Sequence, residues 1–327
     1  MQPIDNRLAS RIIWRTVAIA HFALVLMLLV GKIDLIPAQI ARAYSGLALL
    51  GALLVYARYR GMTRLKELFE PLTAGLFLAL PITVATYTAI GLNMPLADRE
   101  LAAWDTALGF DWRNFILAVD SSPSASTLLQ EAYGSFSKQS LFLLLFLGFQ
   151  RNAARACAFN FAFLMLCLIS SAVSVRFPAL GTYVTYGVTQ DSLSNINATY
   201  GFVFLEQFQA VRVQAAFVMD FDKLAGILTF PSVHAGLAVL CIWAAWESRW
   251  LRYPFLFLNI AMASSAVSHA NHYLVDVIAG VGAAALAIAA SSALFYRLAN
   301  GNSPVLSVWR KFAGAVSAPA SPAASSN

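Results

Sequence analysis

The segment RACAFNFAFLMLCLISSAVS, residues 155–174, carries one charged side chain, Arg155, at its first position. An α-helix of about 20 apolar residues is long enough to cross a hydrocarbon core roughly 30 Å thick. The strands of a transmembrane barrel would instead alternate between polar and apolar residues, which this segment does not do. The segment therefore predicts a membrane-spanning helix.

The composition of the whole chain agrees with that prediction. Of its 327 residues, 59% are hydrophobic and 12% are charged, whereas about a quarter of the residues of soluble domains are charged. The net charge of +6 comes from 22 lysines and arginines dispersed between apolar runs, and this dispersal argues against a nucleic-acid partner. The three cysteines lie inside apolar runs and predict neither a disulfide nor a thiolate metal site.

Apolar windows predict an all-α membrane protein, a polytopic helical bundle of about eight transmembrane helices. The windows cover residues 14–31, 43–57, 70–92, 129–149, 155–174, 232–246, 253–270 and 272–296. Two long connections, 93–128 and 175–231, contain aromatic and aliphatic side chains, so we expect both to be structured. The first should hold an amphipathic interfacial helix and the second should form a cap. The amphipathic pattern comprises Leu101, Trp104, Leu108 and Phe110.

An even number of spans would place both termini on one side of the membrane. If that side is the cytoplasm, 14 of the 22 basic residues fall on short inner segments, as the positive-inside rule favours. We expect an N-terminal pair of transmembrane helices in residues 1–69, a membrane domain in 70–298 and a cytoplasmic, largely disordered tail in 299–327. The expected location is a bacterial inner membrane, with the long connections facing the periplasm.

Three polar side chains at the outer ends of the spans are candidates for chemistry, because ionisable groups are costly at membrane depth. His272 and Asp276 are spaced i, i+4, so on a helix they share one face. The carboxylate would fix the tautomer of the imidazole and leave the other ring nitrogen free to attack phosphorus or carry a proton. Before His234, Pro231 suits the first turn of a helix, whose positive end binds anions such as phosphate.

The segments PSVH, residues 231–234, and HYLVD, residues 272–276, resemble the second and third signatures of the type 2 phosphatidic acid phosphatase superfamily. This resemblance implies a six-helix phosphatase or phosphotransferase core and a phosphohistidine formed on His272. It also implies that Asp276 orients this ring and that His234 protonates the leaving oxygen. The implied substrate is a phosphorylated lipid among membrane lipids, with no cofactor and no metal.

The resemblance is incomplete at the cations that bind phosphate. The third signature usually opens with Ser-Arg, where this chain has Ser265-Ala266, and Ile169 stands where the lysine of the first signature would be. These departures look more like the branch of inositol phosphorylceramide synthases and their bacterial relatives. Guanidinium, ammonium and hydroxyl groups elsewhere would then have to bind the phosphate. The predicted phosphate-binding residues are Ser232, Arg176, Arg212 and Lys138.

Other interpretations stay open. If water is the acceptor, the protein is a lipid phosphatase, and if a lipid or sugar hydroxyl is, it is a headgroup transferase; the choice depends on whether the cap excludes water. A zinc site would need His269 or Asp222 to join His272 and Asp276. A transporter or scaffold of the same fold would use these residues as a proton relay or a structural pair.

Overall fold

A computed structural model describes residues 6–300 of the chain. In this part the chain is a bundle of helices with one short parallel sheet. The helices are α1 Asn6–Val30, α2 Pro37–Tyr59, α3 Thr63–Gly91, α4 Asp98–Ala107, α5 Trp112–Asp120, α6 Pro123–Gly134, α7 Phe136–Phe149, α8 Ala153–Arg176, α9 Thr182–Tyr186, α10 Thr199–Val213, α11 Val233–Ala245, α12 Arg252–His269 and α13 Leu274–Asn300. The strands are β1 Ile33–Leu35 and β2 Phe217–Met219.

Helices lie at all eight predicted windows, which confirms the prediction of an all-α fold. Five helices of the described part are long and apolar enough to cross a membrane, namely α1, α2, α3, α8 and α13, so the number eight is not confirmed. The window 129–149 is interrupted at Ser135, between α6 and α7. Glycine and serine, the two residues at this break, are weaker helix formers than alanine or leucine.

The centre of the bundle is α8, the helix of the segment 155–174. It packs against α1, α3, α11 and α13, and most of its residues are buried. Many of the buried residues are alanine, serine or cysteine. Small side chains let neighbouring helices approach closely, which is the usual way in which helices pack inside a membrane.

The approach of α13 to α11 depends on a glycine. A Cβ atom at Gly280 would lie 2.2 Å from the carbonyl oxygen of Ser232 and 3.3 Å from the amide nitrogen of Gly236. No side chain fits at the first of these distances, so the two backbones touch at this point. This contact places the beginning of α11 beside the beginning of α13, and the segments PSVH and HYLVD thereby become neighbours.

The two long connections are structured, as their composition predicts. In the first connection α4 buries Leu101 completely and leaves Trp104 partly exposed. In the second connection α10 packs against α3 and α12, α9 packs against α4, and Phe217 of β2 contacts Tyr87 of α3. Strand β2 pairs in parallel with β1, between α1 and α2, and this pairing is absent from the sequence prediction. Most of the predicted tail, residues 301–327, lies outside the described residues.

Candidate functional site

The helix α11 begins with a serine cap. The Ser232 side chain accepts a hydrogen bond from the Ala235 N–H at 3.4 Å, and the helix begins at Val233. Pro231 therefore precedes the cap instead of lying in the first turn, so that part of the prediction was wrong. Serine is strongly preferred at the N-cap because its oxygen satisfies a free N–H there. The Ser232 N–H itself donates to the Asp276 carbonyl at 3.0 Å, which joins the two signature segments.

His272 and Asp276 form the contact that their spacing predicts. The His272 Nδ1 atom lies 3.0 Å from Asp276 Oδ2, and both residues are buried. The helix α13, however, begins only at Leu274, so His272 lies in the loop before it. Asp276 is in the first turn and also accepts the Tyr273 N–H at 2.9 Å. A carboxylate is favourable at this end of a helix, and here it holds the imidazole as well.

The two nitrogens of His272 have different surroundings. With Asp276 ionised, Nδ1 carries the proton and donates it to the carboxylate, so Nε2 has a lone pair. The Ser232 Oγ lies 3.4 Å from Nε2, which is a long contact for a hydroxyl donor. The ring is therefore held firmly on one side only, and Nε2 is the nitrogen from which a nucleophilic attack can start.

A cavity of about 400 Å³ joins His272 to His234. Its walls come from α3, the α6–α7 break, α10 and the segment 224–229. Apart from the two imidazoles, the polar side chains of its lining carry hydroxyl groups; these are Thr83, Thr86, Tyr133, Tyr200 and Thr229. Within residues 6–300 no lysine, arginine or carboxylate lines it. An anion in this cavity would thus meet imidazole and hydroxyl donors in place of a guanidinium group.

The His234 ring is held by aromatic stacking. Its centroid lies 4.1 Å from that of Tyr133 with nearly parallel planes, and 4.4 Å from that of Phe136. Both aromatic residues flank the break between α6 and α7. The predicted phosphate-binding residue of this segment is Lys138, but the structure brings Tyr133 and Phe136 to the histidine instead. No residue spacing pairs them with His234, because the helix is interrupted between them and the histidine lies about 100 positions further along the chain.

A buried carboxylate on α4 holds the start of α13. Asp105 is completely buried, and its two oxygens accept the N–H groups of Leu274 and Val275, each at 2.9 Å. Burial raises the pKa of Asp105 above its ordinary value, although these two N–H donors act in the opposite direction. Asp105 thereby positions the turn that carries Asp276. An aspartate on the buried face of an amphipathic helix is unusual and could have drawn attention to Asp105, but nothing in the residue spacing indicates its partner on α13.

A second carboxylate on α4 ties the cap to the same turn. Asp98 accepts the N–H groups of Leu180 and Gly181, at 3.0 and 2.7 Å. It also accepts the Tyr273 hydroxyl at 3.0 Å. Asp98 thus connects Tyr273, the residue after His272, to the part of the cap that precedes α9. Helix α4 therefore holds both the cap and the start of α13 in place.

The predicted cations lie away from the cavity. Arg176 is exposed at the end of α8 beside Phe177, and Lys138 is exposed on α7. Arg212 donates to the Met94 carbonyl at 2.9 Å and lies over the ring of Phe208. Of the four predicted phosphate-binding residues, the structure brings only Ser232 to His272.

The two residues that could complete a zinc site do not contact His272 or Asp276. His269 is buried, and its ring nitrogens contact the hydroxyl groups of Ser268 and Ser126, at 2.9 and 3.3 Å. Asp222 is exposed in the loop after β2. Over the described range, no three His, Cys, Asp or Glu side chains are grouped so that they could hold a metal ion.

Comparison with known proteins identifies the family. The family model described as PAP2 superfamily matches residues 99–290, which include α4 from its second residue, the cap and both signature segments. No curated protein matches the chain, and no solved structure matches it. The match covers more than half of the chain and contains His234, His272 and Asp276. The protein belongs to the PAP2 superfamily.

Proposed function

We propose that the protein is a membrane-embedded lipid phosphate phosphatase or phosphotransferase that acts through a phosphohistidine on His272. Membership of the PAP2 superfamily supports a phosphatase or phosphotransferase type of function. The observation that carries the proposal is the geometry of one ring. His272 binds Asp276 through Nδ1, while Nε2 faces Ser232 beside a cavity shared with His234.

In the proposed first step, Nε2 of His272 attacks the phosphorus atom in line with the leaving oxygen. The N–P bond forms, the P–O bond breaks, and protonated His234 gives its proton to the leaving oxygen. Asp276 stabilises the positive charge that develops on the ring of His272. In the second step the oxygen of water or of a hydroxyl attacks the phosphohistidine, so that an O–P bond forms and the N–P bond breaks. His234 takes the proton of the attacking group, and Nε2 of His272 regains its lone pair.

The negative charge of the phosphate needs compensation in this mechanism. The start of α11 carries the positive end of a helix dipole, and Ser232 and His234 lie there. Phosphate binding by Arg176, Arg212 and Lys138 stays a prediction. Because none of them lines the cavity, their side chains would have to move toward His272 to contact a bound phosphate.

Two other functions are compatible with the family fold. A phospholipid or sphingolipid headgroup transferase of the inositol phosphorylceramide synthase type would use a hydroxyl acceptor. It would need α10 and the segment 224–229, which line the cavity, to exclude water from it. A transporter or scaffold would keep the fold without chemistry. We further propose that the site faces the periplasm of a bacterial inner membrane and that both termini are cytoplasmic.

The test uses purified protein in detergent and lipid. It is incubated with phosphatidic acid, with polyprenyl pyrophosphate, or with ceramide plus phosphatidylinositol, in the presence and absence of a chelator. We expect phosphate release or headgroup transfer that His272→Ala abolishes and the chelator leaves unchanged. The control is His21→Ala. His21 lies on α1, is hydrogen-bonded to the Tyr44 hydroxyl and does not line the cavity.

Three results would count against the proposal. Activity that survives in His272→Ala would exclude a phosphohistidine at this position. Activity that disappears with the chelator would indicate a metal-dependent reaction. Lipid movement into sealed vesicles without phosphate release or headgroup transfer would favour a transporter.

A further inference from the structure

A second cavity, of about 650 Å³, lies between the beginning of α1 and the connection from α2 to α3. We call it the basic pocket, because its lining contains four cationic side chains. These are Arg7, Arg11, Arg58 and Lys66. Ser10 and Thr63 add two hydroxyl groups to the same lining. Its volume is within the range of pockets that bind small molecules or headgroups.

The basic pocket is at the opposite end of the bundle from His272. Lys66, in the first turn of α3, lines the basic pocket, whereas Thr83 and Thr86 of the same helix line the cavity of His272. At 1.5 Å per residue, the 17 positions from Lys66 to Thr83 correspond to about 25 Å along the helix. That distance is close to the thickness of a bilayer core. The pocket therefore belongs to the other membrane surface.

The positive charge of the pocket is not balanced by its own lining, which includes no carboxylate in the described part of the chain. Two described acids lie on the same helix as Lys66, and neither lines the pocket. Glu67 accepts a hydrogen bond from Asn6 at 3.0 Å, and Glu70 is buried. Glu70 accepts the Ser10 hydroxyl at 2.6 Å and the Trp14 indole N–H at 3.1 Å, and it lies 3.7 Å from Lys66 Nζ. Glu70 thus pairs with Lys66, and Arg11 and Arg58 add positive charge to a lining that includes no described carboxylate.

The surface next to the pocket is suited to acyl chains. Helix α2 is long and apolar enough to span a membrane and is mostly unburied. Leu49 is 73% exposed, and Val55 is 69% exposed. Tyr56 and Tyr59 are exposed at the end of the helix, beside Arg58. Tyrosines are typical of the level where a bilayer meets water, so a lipid against α2 would have its phosphate at the level of Arg58.

We infer that the basic pocket binds the headgroup phosphate of an anionic phospholipid, in the leaflet remote from His272. Guanidinium groups form forked hydrogen bonds with phosphate oxygens, and two or more arginines at one pocket provide several such donors. Basic pockets between transmembrane helices recognise anionic headgroups in this way. The acyl chains lie along the exposed apolar surface of α2.

The test compares two double variants of equal charge. Arg11→Gln with Arg58→Gln removes two cations of the pocket, while Arg15→Gln with Arg60→Gln removes two exposed arginines outside its lining. Each detergent-solubilised protein is titrated with dioleoyl phosphatidylglycerol and with dioleoyl phosphatidylcholine, and bound lipid is counted by native mass spectrometry. Each arginine that contacts the headgroup phosphate contributes roughly fivefold to the affinity, so the first variant should bind phosphatidylglycerol about twenty-five-fold more weakly.

The control variant should bind phosphatidylglycerol as the unmodified protein does, and phosphatidylcholine should bind all three proteins equally. Equal loss of phosphatidylglycerol in both double variants would overturn the inference, because general charge would then explain the binding. Stabilisation against heat by inorganic phosphate as strong as that by phosphatidylglycerol would also overturn it. The single variants Arg11→Gln and Arg58→Gln, each expected to lose roughly fivefold, provide the same comparison if the double variant unfolds.

Discussion

The contact between α11 and α13 gives the sharpest prediction about the site. We expect Gly280→Ala to separate the two helices, because the new Cβ would lie 2.2 Å from the Ser232 carbonyl oxygen. That oxygen belongs to the backbone and cannot rotate away, so one helix has to move. Ser232 is the residue that contacts both His272 Nε2 and the Asp276 backbone. The separation would therefore fall within the site itself.

The size of the effect follows from the distances. Carbon and oxygen atoms that are not bonded need more than 3 Å between them, so the helices must move apart by about 1 Å. Overpacking of this kind costs typically 1–3 kcal/mol of folding free energy. A misplacement of about 1 Å at a catalytic group can lower the rate about a hundredfold. We expect losses of this order in stability and in kcat/KM.

The matched control is Gly282→Ala, two residues further along the same helix. A Cβ at Gly282 would meet nothing within 4 Å. Alanine is a better helix former than glycine by up to about 1 kcal/mol, so this variant should be as stable as the unmodified protein or more so. Thermal unfolding in detergent and the release of phosphate from phosphatidic acid measure the two effects for both variants. Unchanged stability and unchanged kcat/KM in Gly280→Ala would refute the packing that brings the two signature segments together.

Three further predictions concern Asp105, Tyr133 and Asp120. Asp105→Asn should lower the free energy of unfolding by about 1–3 kcal/mol, because the single oxygen of an amide replaces the two oxygens that accept N–H groups at the start of α13. The control Asp111→Asn, at an exposed cap of α5, should have a smaller effect. Equal unfolding temperatures of the two variants would contradict this prediction. Tyr133→Leu removes the ring stacked on His234 and should reduce kcat more for alkyl than for nitrophenyl phosphates, since only the poorer leaving group needs the acid, while Tyr133→Phe should behave normally. Although slight burial acts the other way, three backbone N–H donors from residues 194–196 lower the pKa of Asp120 below its ordinary value of 3.8. Its stabilisation of this loop is thus present above pH 3.8 and is lost as the pH falls through the lowered pKa. Protection of residues 194–196 against hydrogen exchange, taken relative to the intrinsic rate at each pH, should therefore fall below that pH in the unmodified protein. The same fall in Asp120→Asn would exclude Asp120 as its cause.

The sequence by itself determined the features that depend on neighbouring residues. The length of the apolar runs predicts where the helices lie, because crossing a bilayer requires a fixed number of apolar residues. The four-residue spacing of His272 and Asp276 predicts their contact, which the structure contains at 3.0 Å. The segment PSVH predicts a helix start near His234, and the helix begins at Val233. Each of these predictions concerns residues that are close along the chain.

Only the tertiary structure decided which distant residues complete the site. Asp105 caps α13 across 169 positions, and Tyr133 stacks on His234 from the far side of the cap connection. Neither contact leaves a local pattern, because a hydrogen bond or a ring contact between remote segments places no constraint on residue spacing. The same reason explains why the predicted cations lie elsewhere. Their charge is visible in the sequence, but their direction is set by packing, and here packing gave the cavity imidazole and hydroxyl groups instead.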